Sequence, residues 1–186
     1  AELFEANPEL AQRFDRYQDA LGLSESDATT LAGDRLLSDF FESAIIDGAH
    51  IVGIANWTIN AIQAFAKEHG FDALQCTGPD LATLVARIAD GSISSKGAKK
   101  LFAVMARDGG SPDELIERLG LAQITDETTI QGFVDEVIAD NSSNLEQYRG
   151  GNHKLFGFFV GAVLRASGGR AAPEIVNRLL KASLSE

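Results

Sequence analysis

The side chains able to do chemistry are scattered in this sequence, while its cations gather at one end. The three histidines (His50, His69, His153) stand far apart and lack any metal-ligand spacing such as HExxH. The single cysteine, Cys76, sits in a Cys-Thr-Gly-Pro turn without a neighbouring histidine, so neither an internal disulfide nor a cysteine-based metal site is expected. No phosphate loop or dinucleotide fingerprint is present, and the acids are spaced as solvated faces, so no intrinsic active site is expected. From Arg149 to Glu186, by contrast, six cations (Arg149, Lys154, Arg165, Arg170, Arg178, Lys181) face two acids (Glu174, Glu186). This end is +4 in a chain of net charge −11, so residues 1–148 carry −15. A basic end on an acidic protein points to a polyanionic partner. The alternative is a solvated helix pair whose arginines only face water, and charge alone does not choose between the two.

Helical grammar must position these cations. His153 to Leu164 reads as one helix with Leu155, Phe156, Phe159, Val160, Val163 and Leu164 inward. Gly157 and Gly161 stand four apart on it, and two interior glycines predict close packing of another helix. Ser167, Gly168 and Gly169 end this helix, and Pro173 opens the last one in its first turn. Upstream the pattern is the same. A helix starts at Pro8, Ser24 caps a short acidic one, and a third runs from about Asp34 to Asp47 with Leu36, Leu37, Phe40, Phe41, Ile45 and Ile46 inward.

Ala49 to Glu68 is the longest periodic stretch, expected to be buried on most of its circumference with Trp57 as a core anchor. Asn56 and Asn60 inside it are expected to bond backbone or solvent, a ligand role being the minor alternative. Helices then begin at Pro79, at Ser94 or Ser95, and at Ser111-Pro112-Asp113-Glu114, a full capping box. Lys96, Lys99 and Lys100 fall in the first turns of the second of these, an unfavourable place for cations near a helix dipole. They form a second candidate basic patch, unless Lys99 and Lys100 pair with acids. Leu121–Thr125 is a connector and the expected domain boundary, Asp126 opens an acidic helix, and Asn141–Asn144 is a polar break. The expectation is an all-α chain, with an acidic helical bundle at 1–120 and a three-helix basic tail at 121–186. No apolar run approaches the ~18–20 residues of a membrane span. The start at Ala1 in mid-pattern reads as a piece of something longer.

The run GFFVGAVLRASGGRAAPEIVNRLL resembles the closing motif of the GatB/YqeY family, matched at Gly157, Gly161, Gly169, Arg170, Ala171, Pro173 and Asn177. Ala55-Asn56-Trp57, DGSISSKGAKKLF from Asp90, QITDE from Gln123 and LSESDATTL from Leu23 also look like the family, in the right order over nearly the whole chain. The resemblance implies a helical module that grips tRNA without doing chemistry. Such a module ends the B subunit of the tRNA-dependent amidotransferase and is appended to some bacterial glutaminyl-tRNA synthetases. Its partners would be a glutamine-accepting tRNA and a catalytic body attached upstream of Ala1, in the cytoplasm, with no DNA or membrane involved. ATP and glutamine would bind the catalytic part and no cofactor would bind here. Arg165 and Arg170 stand where the family more often has Lys, which keeps the charge. Only Pro8 stands where the amidotransferase often has a Pro-rich entry segment, which tilts the reading toward the synthetase appendage. The expected RNA contacts are Arg170 on its glycine turn, Lys154, Arg165, Arg178 and Lys181, then Lys96, Lys99 and Lys100. Gly157, Gly161, Gly168, Gly169, Pro173, Asn56 and Trp57 are expected to be structural. The competing reading is a protein-interaction module that docks a partner subunit through the Gly157/Gly161 stripe or the acidic helices.

Overall fold

The computed structural model describes residues 7–185. The ends of both expected parts, residues 1–6 and Glu186, lie outside the described residues. The fold is all-α. Among the described residues the only β pairing is two isolated bridges, Ile93 with Ala122 (antiparallel) and Ile124 with Ala171 (parallel). Contacts divide the chain into two compact units. One runs to Asp90 and includes Lys99–Leu115; the other is Gly91–Ala98 with the residues from Ile116 on. This division differs from a cut at residue 120 by assigning 91–98, with Lys96, and 116–120 to the second unit.

In the first unit local capping sets the helix starts. Helix α1 (Pro8–Asp19) has Pro8 in its first turn and Asn7 as cap. Gly22, at φ +67°, turns the chain back so that the buried Leu23 donates its N–H to the Tyr17 carbonyl at 2.9 Å. Ser24 caps α2 (Glu25–Ala32) and Asp34 caps α3 (Arg35–Ala44), each accepting an N–H three residues on. The inner face of α3 is Leu37, Phe40, Phe41 and Ala44, followed by Ile45. Leu36 and Ile46, expected inside, are 56% and 78% exposed. The helix presents one stripe to the core and Leu36 lies off it, while Ile46 falls past the helix end. Tyr17 meets the edge of Phe41 with ring centroids 5.1 Å apart and shares a 2.9 Å hydrogen bond with the buried Ser38 hydroxyl.

The long periodic stretch is α4 (Ile51–Trp57), a π-helical turn (Thr58–Ile62) and α5 (Gln63–His69). Buried Thr58 donates its hydroxyl to the Ile54 carbonyl at 2.8 Å, which competes with the regular ladder where the π turn begins. The expected all-round burial is not found. Ile54, Ala55, Thr58 and Ile62 are buried, while Val52, Asn56 and Asn60 are exposed, giving an ordinary amphipathic face. Trp57 is half-buried and faces the Phe102 ring at 5.5 Å. Asn60 Nδ2 donates to the Asn56 carbonyl at 2.8 Å, the backbone partner expected of it.

Helix α6 (Gly78–Ala89) opens with a capping box between Thr77 and Asp80. A Cβ at Gly78 would stand 2.1 Å from Ser43 Oγ and 2.7 Å from the Ala44 nitrogen, and one at Gly53 would stand 2.8 Å from Val85. These two glycines, in different helices from those singled out in the sequence, let α6 close on α3 and α4. Helix α7 (Ser95–Asp108) starts with Ser94 Oγ accepting the Gly97 N–H, and α8 (Pro112–Arg118) follows.

Candidate nucleic-acid interface

Four helices build the second unit's core: α9 (Glu127–Asp140), α10 (Ser142–Arg149), α11 (Phe156–Ala166) and α12 (Pro173–Ser185). The polar stretch Asn141–Asn144 is a joint rather than a break, because Asn141 Nδ2 returns to the Val137 carbonyl and α10 starts at once. Ile130, Val134 and Val137 of α9 pack with Phe159 and Val163 of α11 and with Val176, Leu180 and Leu184 of α12. Asp126 caps α9 through the N–H and hydroxyl of Thr129, bonds that hold its carboxyl below the usual range.

The glycine turn after α11 is tied down from below. Gly168 and Gly169, at φ +66° and +79°, donate their N–H groups to the Arg165 and Leu164 carbonyls. Buried Ser167 accepts the Ala171 N–H at 3.2 Å and donates to Leu164. The connector then runs between two neighbours. Gln123 N–H reaches the Ser92 carbonyl at 2.8 Å, Ile124 N–H reaches the Arg170 carbonyl at 2.8 Å, and Ala172 N–H returns to the Ile124 carbonyl at 2.9 Å. This pairing brings the start of α7 to the turn. A Cβ on Gly169 would stand 3.4 Å from Lys96 Cδ and 3.8 Å from its Nζ.

The candidate cations separate by what they touch. Lys96, Lys154, Arg165, Arg170 and Lys181 are exposed, and none forms an ion pair with another described residue. Arg178 is engaged differently: both of its terminal nitrogens donate to Glu127, and this bonding holds the Glu127 carboxyl below the usual range. Arg149 donates Nε to the Leu184 carbonyl. Lys99 and Lys100, also exposed and without an ion pair among the described residues, belong to the first unit, so the expected patch of three lysines is divided between units. Glu127 was not visible as a partner, since it lies 51 residues from Arg178. Lys96 was singled out, but its place beside the glycine turn had no signature in the sequence.

The glycine pair Gly157 and Gly161 does not do what its spacing suggested. Nothing in the described chain lies within 4 Å of a Cβ at Gly157, and at Gly161 only the flexible Arg165 Nη1 does, at 3.4 Å. Helix α11 turns its phenylalanine and valine face to the core and leaves the glycines outside it.

Reactive groups elsewhere do not converge. Cys76 is buried, which pushes its thiol up to about 12. A groove of about 800 Å³ in the first unit is rimmed by Glu68, His69 and Arg107, with Phe65, Phe102 and alanines behind. Its imidazole stands 3.7 Å from Glu68, and no Ser, Thr, Cys or Lys is among the described residues that line the groove. Among the described residues no group of three His, Cys, Asp or Glu side chains could hold a metal, and no helix is long and apolar enough to cross a membrane.

A protein-family model described as GatB domain matches residues 39–184. The B subunit of the aspartyl/glutamyl-tRNA(Asn/Gln) amidotransferase from Halorhodospira halophila is 43% identical over 187 residues, covering 98% of this chain and 39% of that protein. The proteins of the same name from Thermosynechococcus vestitus and Oceanobacillus iheyensis are 42% and 39% identical, each over 181 residues and 96% of this chain. They are covered over 36% and 38% of their own lengths. The chain thus spans somewhat under two fifths of the length of these curated relatives.

Proposed function

The chain belongs to the GatB domain family, and from that premise we propose that it is the tRNA-gripping, non-catalytic part of a tRNA-dependent amidotransferase B subunit. The three relatives are amidotransferase subunits by name, which favours that parent over the synthetase appendage toward which the entry segment tilted. Their names also give the tRNA class: the tRNAs that accept asparagine or glutamine, carrying aspartate or glutamate. One observation carries the reading. Five of the candidate cations, all exposed and all in the second unit, stand free of described carboxylates in a chain of net charge −11.

Such cations suit the backbone of folded RNA, whose helices present phosphates and 2′-hydroxyls rather than readable base edges. The acidic first unit repels RNA and so restricts where it binds. Ammonia release from glutamine and activation by ATP belong to a catalytic part beyond these residues, in the cytoplasm where translation runs. Arg170 and Lys154 are the leading phosphate contacts, followed by Arg165, Lys181 and Lys96. Lys99 and Lys100 form a separate minor contact, and Arg178 contributes least because Glu127 already neutralises it.

Filter retention of labelled tRNA tests this. With roughly three to five phosphate contacts, log K falls against log salt with a slope of about −2 to −4. Arg170→Ala and Lys154→Ala each weaken retention and flatten the slope by about one. Unchanged retention in both variants, with an intact helical spectrum, overturns the reading. Absent tRNA retention at low salt, together with salt-insensitive co-purification of a partner subunit, favours docking through the open Gly157 stripe beside the exposed Phe158.

A further inference from the structure

We propose that Lys96 and Arg170 act as one phosphate site built across the Gly168–Gly169 turn, not as members of two separate basic patches. The connector holds the parts in register. Gln123 is bonded to Ser92 just before α7 begins, and Ile124 is bonded to Arg170 and Ala172 just after the turn. Lys96, in the first turn of α7, is thereby carried to the residue that precedes Arg170. Its stem passes beside Gly169, where a Cβ would stand in van der Waals contact at 3.4 Å from Cδ, and Gly169 holds φ at +79°. The glycine is required by the turn, and the lysine stem lies against it.

The N–H groups of Gly168, Gly169 and Arg170 are already given to the Arg165, Leu164 and Ser167 carbonyls. The turn is accordingly no backbone cradle, and an anion is held by the two side-chain cations. Neither cation has a described carboxylate partner, although the chain carries 27 acids. Lys96 Nζ lies beside Gly169, one residue from Arg170, and cations drawn to one compact oxyanion exchange mutual repulsion for attraction to it. A phosphate group has the charge and the several acceptor oxygens to serve both at once. The site rests on the tRNA reading for its source, a backbone phosphodiester, but its chemistry is also that of free phosphate.

The test uses the 186-residue chain in two arms. In the first, inorganic phosphate is titrated against ¹⁵N-labelled protein at ionic strength matched with chloride. The signals of Lys96, Gly169 and Arg170 should move together on one curve, and the movement of Gly169 and Arg170 should vanish in K96Q and return in K96R. In the second arm, tRNA retention is measured for K96Q, R170Q and the double variant. Each single change should weaken retention about 3- to 10-fold, and the double variant should lose clearly less than the product of the two. Coupled losses in the second arm, unaffected by phosphate at matched ionic strength, identify an RNA phosphodiester as the ligand. Coupled phosphate shifts without tRNA retention keep the site and remove the tRNA reading. The proposal falls if phosphate moves none of these signals and K96Q retains tRNA like the parent. In that case weakening by Arg170→Ala and Lys154→Ala would still leave the tRNA reading standing.

Discussion

In the first unit Arg13, Arg16, Arg35, Arg87 and Arg107 each meet a carboxylate; among the described residues of the second unit, Arg178 is the only arginine that does. Composition does not force this contrast. Asp and Glu outnumber Lys and Arg 18 to 8 in the first unit, but they still number 9 to 8 in the second. The second unit has enough acids to pair all its cations, yet among the described residues most of them stand open. Exposed ion pairs contribute only ~0–1 kcal/mol each, so leaving them unmade costs the fold little. What it preserves is charge available to a polyanion. Arrangement, more than count, separates the two units.

The glycines give a second version of the same contrast, and the largest expected effect. Gly78→Ala forces a Cβ against the backbone of Ser43 and Ala44 and should cost about 1–3 kcal/mol, measured by urea denaturation. An unchanged midpoint would mean that α6 does not close on α3 as described. Gly157→Ala meets open space and should raise stability by roughly 0.5 kcal/mol while leaving tRNA retention as it was. Loss of retention in that variant would instead expose a partner seated on the stripe.

Two charge changes sharpen the comparison further. Glu127→Gln releases Arg178 and should strengthen tRNA retention about 2- to 5-fold, with a steeper salt slope; Arg35→Gln in the first unit should change neither. A gain in the second case and none in the first would reverse the assignment of binding to the units. The smallest effect concerns pH. The Arg87 guanidinium holds the Asp113 carboxyl below the usual carboxylate range. Its stabilisation is therefore complete above about pH 4, where the unfolded carboxyl ionises, and is lost as pH falls through the lower folded value. Arg87→Gln should lower Tm by a few degrees at most at pH 7, and the two melting curves should converge by about pH 2. A difference that persists there would assign Arg87 a packing role.

Much of the helical layout was legible because its causes are local. Ser24, Thr77 and Asp126 each bond a group three residues on, and Gly22 with Leu23 ends α1 within one turn. Errors arose where a side chain had a face to choose. Leu36 and Ile46 are as apolar as Leu37 and Phe41, and only the direction of packing on α3 sorts them. The same holds for Val52 and Ile54 in the long rod. Cations could be named from the sequence, but their freedom could not. Arg178 looks like Arg170 until Glu127 arrives from another helix.

The sequence by itself determined the all-α class, most helix starts and stops, and the gathering of positive charge near the carboxyl end, because caps, periodicity and composition act over a few residues. Tertiary structure alone decided which glycines are crowded, which cations are neutralised, and that Lys96 lies across Gly169. Those outcomes depend on contacts between distant helices. An exposed ion pair of this kind is worth too little, about a kilocalorie per mole or less, to impose a pattern on the residues nearby.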